Sequence, residues 1–441
     1  HQTEHGRMSG PQEISLPLRR SAELNATLSS CCGFTGEVTL TDSAIIILLA
    51  GALGASDTLS MLTTSLLPLF FGLLLLPNAT LINRVGVRRL INGACGISAA
   101  AYFCAAASPF FGQGAKMVLL ASIVLFSLSL SGFIAGWFPL ADSFITADRR
   151  IVFFGRMRFC HQLTALAFLT VSGLLVGKES PIWKLQMLLF AAAVIYVGRL
   201  VFISRIPSVF SGLEANGVTS LRAALSRALR NKPLVGFSLY IFVLNFAAYG
   251  TVPLTLLYLK KSLNAPDNVV VFVSALALGG MLAGYYRVGR IVACIGVKKS
   301  LLLFHATFAL ANLAIFFVGG GGMAAYVLIG IIVMAYSFMI AAASVVVAGE
   351  MMALSKAGDK VVSMAFFGTF YYGGFGFSRL MTSLSLGSGI FASDWRVGSS
   401  SFSHYQTLFL LFALAILFAA VFLLFVPAVF PKGEFNYRPE T

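Results

Sequence analysis

Apolar runs of about 20 residues recur along this chain from near residue 25 to residue 427, and no other feature restricts the fold as much. Each run is long enough for a helix to cross a hydrocarbon layer roughly 30 Å thick. Charged residues make up only 11% of the sequence, against about 25% in soluble domains. The expected fold class is an all-α membrane protein. Twelve spans are predicted, near residues 25–54, 60–82, 90–110, 117–141, 151–177, 182–203, 234–258, 268–289, 300–318, 321–348, 361–387 and 404–427. The first must include Glu37 and the mixed stretch 33–43 to be long enough, so it is expected to line something polar.

The spans fall into two similar sets. Leu53, Ala55, Asp57 and Leu66 recur as Leu263, Ala265, Asp267 and Leu276, and Val85-Gly86-Val87-Arg88-Arg89 returns as Ile295-Gly296-Val297-Lys298-Lys299 at the same offset of 210 residues. A repeat of half the chain length in an apolar sequence predicts two tandem helical bundles, an architecture typical of secondary transporters. The expected organisation is a tail (1–24), a first six-helix bundle (25–203), a connector (204–233), a second bundle (234–427) and a second tail (428–441). Within the connector, Leu221, Leu225 and Leu229 recur at helical spacing among Arg222, Arg227 and Arg230. That pattern fits either an amphipathic helix on the membrane surface or a solvated linker.

The net charge of +15 is explained by sidedness, without nucleic acid or another polyanionic partner. Loops and tails on the side of the amino terminus hold roughly 21 basic residues and those on the other side roughly 6. Retention of Lys and Arg in the cytoplasm places both termini inside, in a plasma or bacterial inner membrane. The six cysteines lie in or at the edges of spans and are expected to be packing residues, not a disulfide frame or metal site. No phosphate-cradling Gly-x-x-x-x-Gly-Lys-Ser/Thr is present, so neither a nucleotide-driven pump nor a cofactor is expected.

Twelve spans, the six-plus-six repeat and the loop Ala79-Thr80-Leu81-Ile82-Asn83-Arg84-Val85-Gly86-Val87-Arg88-Arg89 together resemble the major facilitator superfamily over about residues 25–427. The family loop reads approximately Gly-x-Leu-Ala-Asp-Arg-x-Gly-Arg-Arg. Leu81, Arg84, Gly86, Arg88 and Arg89 match it, whereas Ala79 stands for the first glycine and Asn83 for the acid. The second copy keeps Gly296, Lys298 and Lys299 but has Ala293 at the acid position. The resemblance implies two pseudo-symmetric six-helix bundles, alternating access, and a loop acid that latches the cytoplasmic face by charge pairing. Asn83 carries no charge to do so. A weaker echo sets Asp142 with Arg149 and Arg150, and Glu350 with Lys360, as gate contacts at the cytoplasmic helix ends, with helix-end solvation as the alternative.

Ionisable groups inside a bilayer cost roughly 2.5–3.5 kcal/mol on insertion scales unless paired or wetted. Those here are Glu37 on span 1, Arg156 and Arg158 on span 5 with His161 and Gln162 beyond them, and Arg379 on span 11. Asn245 and Tyr249 on span 7, with Tyr371 and Tyr372 on span 11, occupy similar depths. In the family these spans line the central cavity. Arg199, near the end of span 6, is expected to snorkel to the interface, and Asn312 to serve packing. Glu37 is the expected proton carrier, with Arg158 or Arg379 as the cation that replaces the proton. His161 is either a second proton group or a hydrogen-bonded structural one.

The expected function is a secondary transporter that is not an enzyme and moves a small organic solute with H+. Embedded arginines favour an organic anion, and the tyrosines favour stacking on a sugar or aromatic face. A non-transporting accessory subunit built on the same fold is the alternative. Expected partners are the solute, a proton and membrane lipids, and the chain is expected to be a monomer.

Overall fold

The computed structural model describes residues 15–145, 149–211, 221–354, 360–391, 394–398 and 400–425. Helices α1 (Leu16–Thr41) and α2 (Ala44–Ala52) form one span bent by 40°. They are followed by α3 (Asp57–Val85), α4 (Val87–Ala107), α5 (Ala115–Phe144), α6 (Arg150–Val176) and α7 (Ile182–Ser204). A short helix α8 (Leu221–Leu229) leads to α9 (Lys232–Ala248) and α10 (Thr251–Lys261), which together make another broken span. The second set is completed by α11 (Asp267–Ile295), α12 (Val297–Phe317), α13 (Met323–Leu354), α14 (Lys360–Gly387) and α15 (His404–Phe425).

Among the described residues, nine segments are long and apolar enough to cross a membrane, one of them holding both α4 and α5, and the bent pair α1–α2 adds to these. Helix α14 is made more polar by Arg379, Tyr371 and Tyr372, and completes twelve spans. At 28 residues it is ample for the crossing.

The sequence repeat is a structural repeat. Helices α3 and α11 begin and end 210 residues apart, as do α4 and α12. Gly86 (φ 86°) and Gly296 (φ 78°) make the same tight turn between the paired helices, in a region a Cβ disfavours. Gly54 (φ 77°) and Asn264 (φ 52°) take matching left-handed positions after α2 and α10, where Gly and Asn are the residues that cost least.

Two features differ from the sequence expectation. Helix α1 begins at Leu16, nine residues before the predicted span edge at 25. Between α14 and α15 the chain forms a hairpin of β1 (Asp394–Val397) and β2 (Ser400–Ser403), where only a loop was expected. Trp395 faces Phe402 across the hairpin, both rings pack on Phe316, and the Trp395 indole donates to Thr407 Oγ1 at 2.7 Å. An apolar-run reading has no signal for four-residue strands.

The bundles meet chiefly along α3–α14 and α6–α11. Glycine lets the first pair touch at the backbone: a Cβ on Gly72 would lie 2.5 Å from Gly373 N, and one on Gly376 would lie 2.4 Å from Leu69 N. The loops rich in Arg and Lys define a basic face. The ends of α2, α10 and α14 and the hairpin define the opposite face.

Candidate functional site

Near mid-depth the two bundles present one cluster. Arg158, on the third turn of α6 and roughly 12 Å from its basic-face end, lies 5.9 Å from the Tyr285 ring centre on α11. It is also within electrostatic range of Tyr371 and Tyr372 on α14. Tyr371 shares a 2.8 Å hydroxyl contact with Tyr249, and Asn245 fixes the turn by donating to Tyr371 O at 3.0 Å. Tyr372 crosses to the first bundle and meets Phe71 edge-on at 5.3 Å. Behind this cluster, a cavity of about 10 Å³ lies among Leu244, Asn245, Tyr249, Phe308, Ile340 and Tyr371. It has room for one water and none for an organic solute.

His161 and Gln162 are spent on packing contacts. His161 stacks on Phe34 at 4.2 Å, and its Nδ1 lies 2.9 Å from Ser30 Oγ, all within the first bundle. Gln162 is buried and donates across the interface to Leu278 O at 3.2 Å. Asn312 accepts from Thr251 Oγ1 at 3.0 Å beside Tyr336, whose hydroxyl donates to Ala248 O at 2.6 Å, so this node satisfies the break between α9 and α10.

The deep charges pair differently from the expectation. Glu37 is ion-paired with Arg199 of α7, not with Arg158 or Arg379. Arg199 does not snorkel. It is only 4% exposed and lies over the Phe133 and Tyr196 rings at 4.4 and 5.3 Å. Gly33 on α1 makes this possible, because a Cβ there would lie 1.7 Å from Arg199 Nε. The pair is therefore internal to the first bundle, with Tyr372 in electrostatic range from the other side. Arg379, equally buried, has its own acid: its Nη2 lies 2.6 Å from Asp42 Oδ1 at the α1–α2 bend. Arg379 also donates to Thr64 O at 2.9 Å and Tyr249 O at 3.2 Å, and it lies over Phe375. Sequence reasoning missed Asp42 and misplaced Arg199. The signal for Asp42 was its place in the polar stretch 33–43. The destination of Arg199 is legible only once Gly33 is known to face it.

The opposite face is held shut by contacts between bundles. Asp57, at the start of α3, receives the Tyr405 hydroxyl and lies 3.8 Å from Lys261 Nζ. Its repeat partner Asp267, at the start of α11, accepts across the interface from Ser180 N at 2.7 Å and pairs within its own bundle with Lys260 Nζ at 2.5 Å. Ser383 donates to Thr58 O at 2.7 Å, and Asp267 N to Lys178 O at 2.9 Å.

On the basic face, the polar contacts of the predicted gate residues stay within one bundle among the described residues. Arg88 donates to Ser204 O at 2.8 Å, and Arg149 pairs with Glu23 at 3.1 Å. Arg84, Arg89, Lys298 and Lys299 are exposed, and Glu350 is buried on α13. The side chains of Asn83, Asp142, Arg150 and Lys360 lie outside the described residues. Helices α6 and α11 show the same asymmetry. A Cβ on Gly173, near the opposite face, would lie 3.0 Å from Phe272, whereas on Gly155 and Gly289, near the basic face, nothing stands within 4 Å.

The family model of the Major Facilitator Superfamily matches residues 27–378. The chain belongs to this superfamily. No curated protein matches it by sequence. Among solved structures of the same fold is the nucleoside transporter NupG, at 12% identity and a TM-score of 0.64 over 95% of this chain and 100% of that one. The xylose transporter XylE from E. coli, in a partially occluded inward-open conformation, gives 0.63 at 14% identity over 93% and 98%. A bacterial homologue of the iron transporter ferroportin gives 0.64 in its inward-facing state, at 14% identity over 93% and 99%, and 0.57 in an outward-facing one. The superfamily member described here is thus a multi-pass membrane protein with the superfamily's transporter fold, not an enzyme.

Proposed function

We propose that this chain is a secondary active transporter that carries a small organic solute by alternating access, coupled to H+. We further infer that the basic face is cytoplasmic, as the distribution of Lys and Arg requires, so the conformation described is inward-facing. The observation that carries the reading is the asymmetry between faces among the described residues: Asp57 and Asp267 bind the bundles together on one side, while the contacts of Arg88 and Arg149 on the other stay within a bundle.

The solute site is assigned to the mid-depth cluster of Arg158, Tyr285, Tyr371 and Tyr372. Among the described residues, Arg199 and Arg379 are each paired with an acid, whereas the partner of Arg158 is an aromatic ring. An arginine whose charge is not cancelled in a half-buried crevice suits a carboxylate or phosphate, and the phenols suit a ring or its hydroxyls. An organic anion is favoured over a neutral sugar on that balance. The acids of the first span, Glu37 among them, are the carriers available for the proton.

A thermal-shift screen over carboxylates, phosphorylated solutes and sugars, followed by uptake into reconstituted vesicles, tests the reading. Arg158→Gln is expected to weaken uptake of the anionic hit about 10–100-fold, the equivalent of a charge-assisted hydrogen bond worth about 1.5–3 kcal/mol. Unchanged uptake would remove Arg158 from the site. A protein that takes up nothing and co-purifies in fixed ratio with another membrane complex would be an accessory subunit.

A further inference from the structure

Two carbonyl oxygens in the spanning region, one within α3 and one at the α9–α10 break, lack the usual helical donor four residues on. Thr64 O would accept from residue 68 and Tyr249 O from residue 253, but both of those residues are prolines and have no N–H. One guanidinium serves both: Arg379 donates Nη1 to Thr64 O at 2.9 Å and Nε to Tyr249 O at 3.2 Å. Its remaining Nη2 meets Asp42, the residue at which α1 stops and the span bends by 40°. A single side chain, 4% exposed, therefore ties together the bend of α1–α2, the proline site of α3 and the break of α9–α10. The first two belong to one bundle and the third to the other.

We propose that Asp42 is the proton-exchanging group of the transport cycle, ionised and paired with Arg379 while the opposite face is shut, and protonated when that face opens. This rests on the transporter reading above. Opening the opposite face separates the bundles at this depth, and the pair spans them. A carboxylate parted from its arginine inside the bilayer is costly, and a proton bound to the carboxylate removes the charge. Arg379 keeps Tyr249 O and the Phe375 face in its own bundle, so it is not stranded. The Asp42 side chain is 39% exposed, although the Oδ1 that faces Arg379 is itself buried. Among the described residues, Arg379 from α14 is the charged group that faces Asp42; α3 and α11 bring Thr64 and Ser274, which do not titrate, and Tyr249, at the α9–α10 break, faces the arginine. Glu37, five residues earlier, is held by Arg199 in its own bundle and can keep that partner in both states.

The test is a distance measurement between spin labels at positions 184 and 396, one on each bundle at the opposite face, in the full chain with its cysteines replaced and reconstituted in vesicles. In the parent, lowering the pH is expected to move population from a short to a long separation. Asp42→Asn is expected to show the long separation at every pH. A pH response retained in Asp42→Asn overturns the proposal and leaves the transporter reading standing. Should Asp42→Asn fail to fold, Asp42→Glu, which keeps a titrating group on a longer arm, must still show the transition at a displaced midpoint, and its loss overturns the proposal. A parent distance unmoved by pH overturns the proton assignment. If it is unmoved by solute as well, alternating access falls with it.

Discussion

At the scale of single residues, the deep charges sort by whether their partner shares a bundle. Glu37 and Arg199 do, and both are largely buried. Glu37→Gln leaves Arg199 without its acid, and breaking a buried pair in this way costs about 3–5 kcal/mol. The expected outcome is a marked fall in thermal stability in detergent. Gly33→Ala is expected to lower it too, because the new methyl takes the place of the guanidinium. A melt unchanged in both variants would show that the pair contributes nothing to the first bundle. The sequence pointed to Glu37, Arg158, Tyr371, Tyr372 and Arg379 because polarity at bilayer depth is visible along one chain. It could not supply their partners, since which helix an arginine reaches depends on where a neighbour has left space.

At the scale of elements, hydropathy located twelve spans, and the 210-residue offset placed α3 with α11 and α4 with α12. The interruptions were less visible. Prolines 68 and 77 lie inside a continuous α3, while the second bundle breaks between α9 and α10 with Pro253 just beyond. Proline in a spanning helix is tolerated when other groups satisfy the freed carbonyl, so the residue type alone does not say whether a helix stops. The α3–α14 seam gives a sharper element-scale expectation. Gly376→Ala forces a methyl to within 2.4 Å of Leu69 N, and such overpacking costs about 1–3 kcal/mol. Gly93→Ala on α4, where a Cβ meets nothing within 4 Å, is expected to be neutral or to gain up to about 1 kcal/mol from helix propensity. Thermal unfolding of the two variants side by side checks the contrast.

At the scale of the whole molecule, the repeat is symmetric in backbone but not in partners. Asp57 takes a tyrosine from α15 and Asp267 a backbone amide near the end of α6, yet both lie beside lysines of one dipeptide. Exposed ion pairs contribute about 0.2–1 kcal/mol each, so Lys261→Gln alone is expected to change the shut population by less than about five-fold. Tyr405→Phe removes a hydrogen bond to a charged group, worth about 1.5–3 kcal/mol. It is expected to act more strongly, as read by the same label separation at the opposite face. Lys260 and Asp267 both belong to the second bundle, so their pair can stay intact when the bundles part; the contacts that cross are those of Asp57 with Lys261 and Tyr405, and of Asp267 with Ser180 N. The outer gate is therefore a reciprocal clasp: each half carries one acid as a hook, and the other half supplies the eye that receives it.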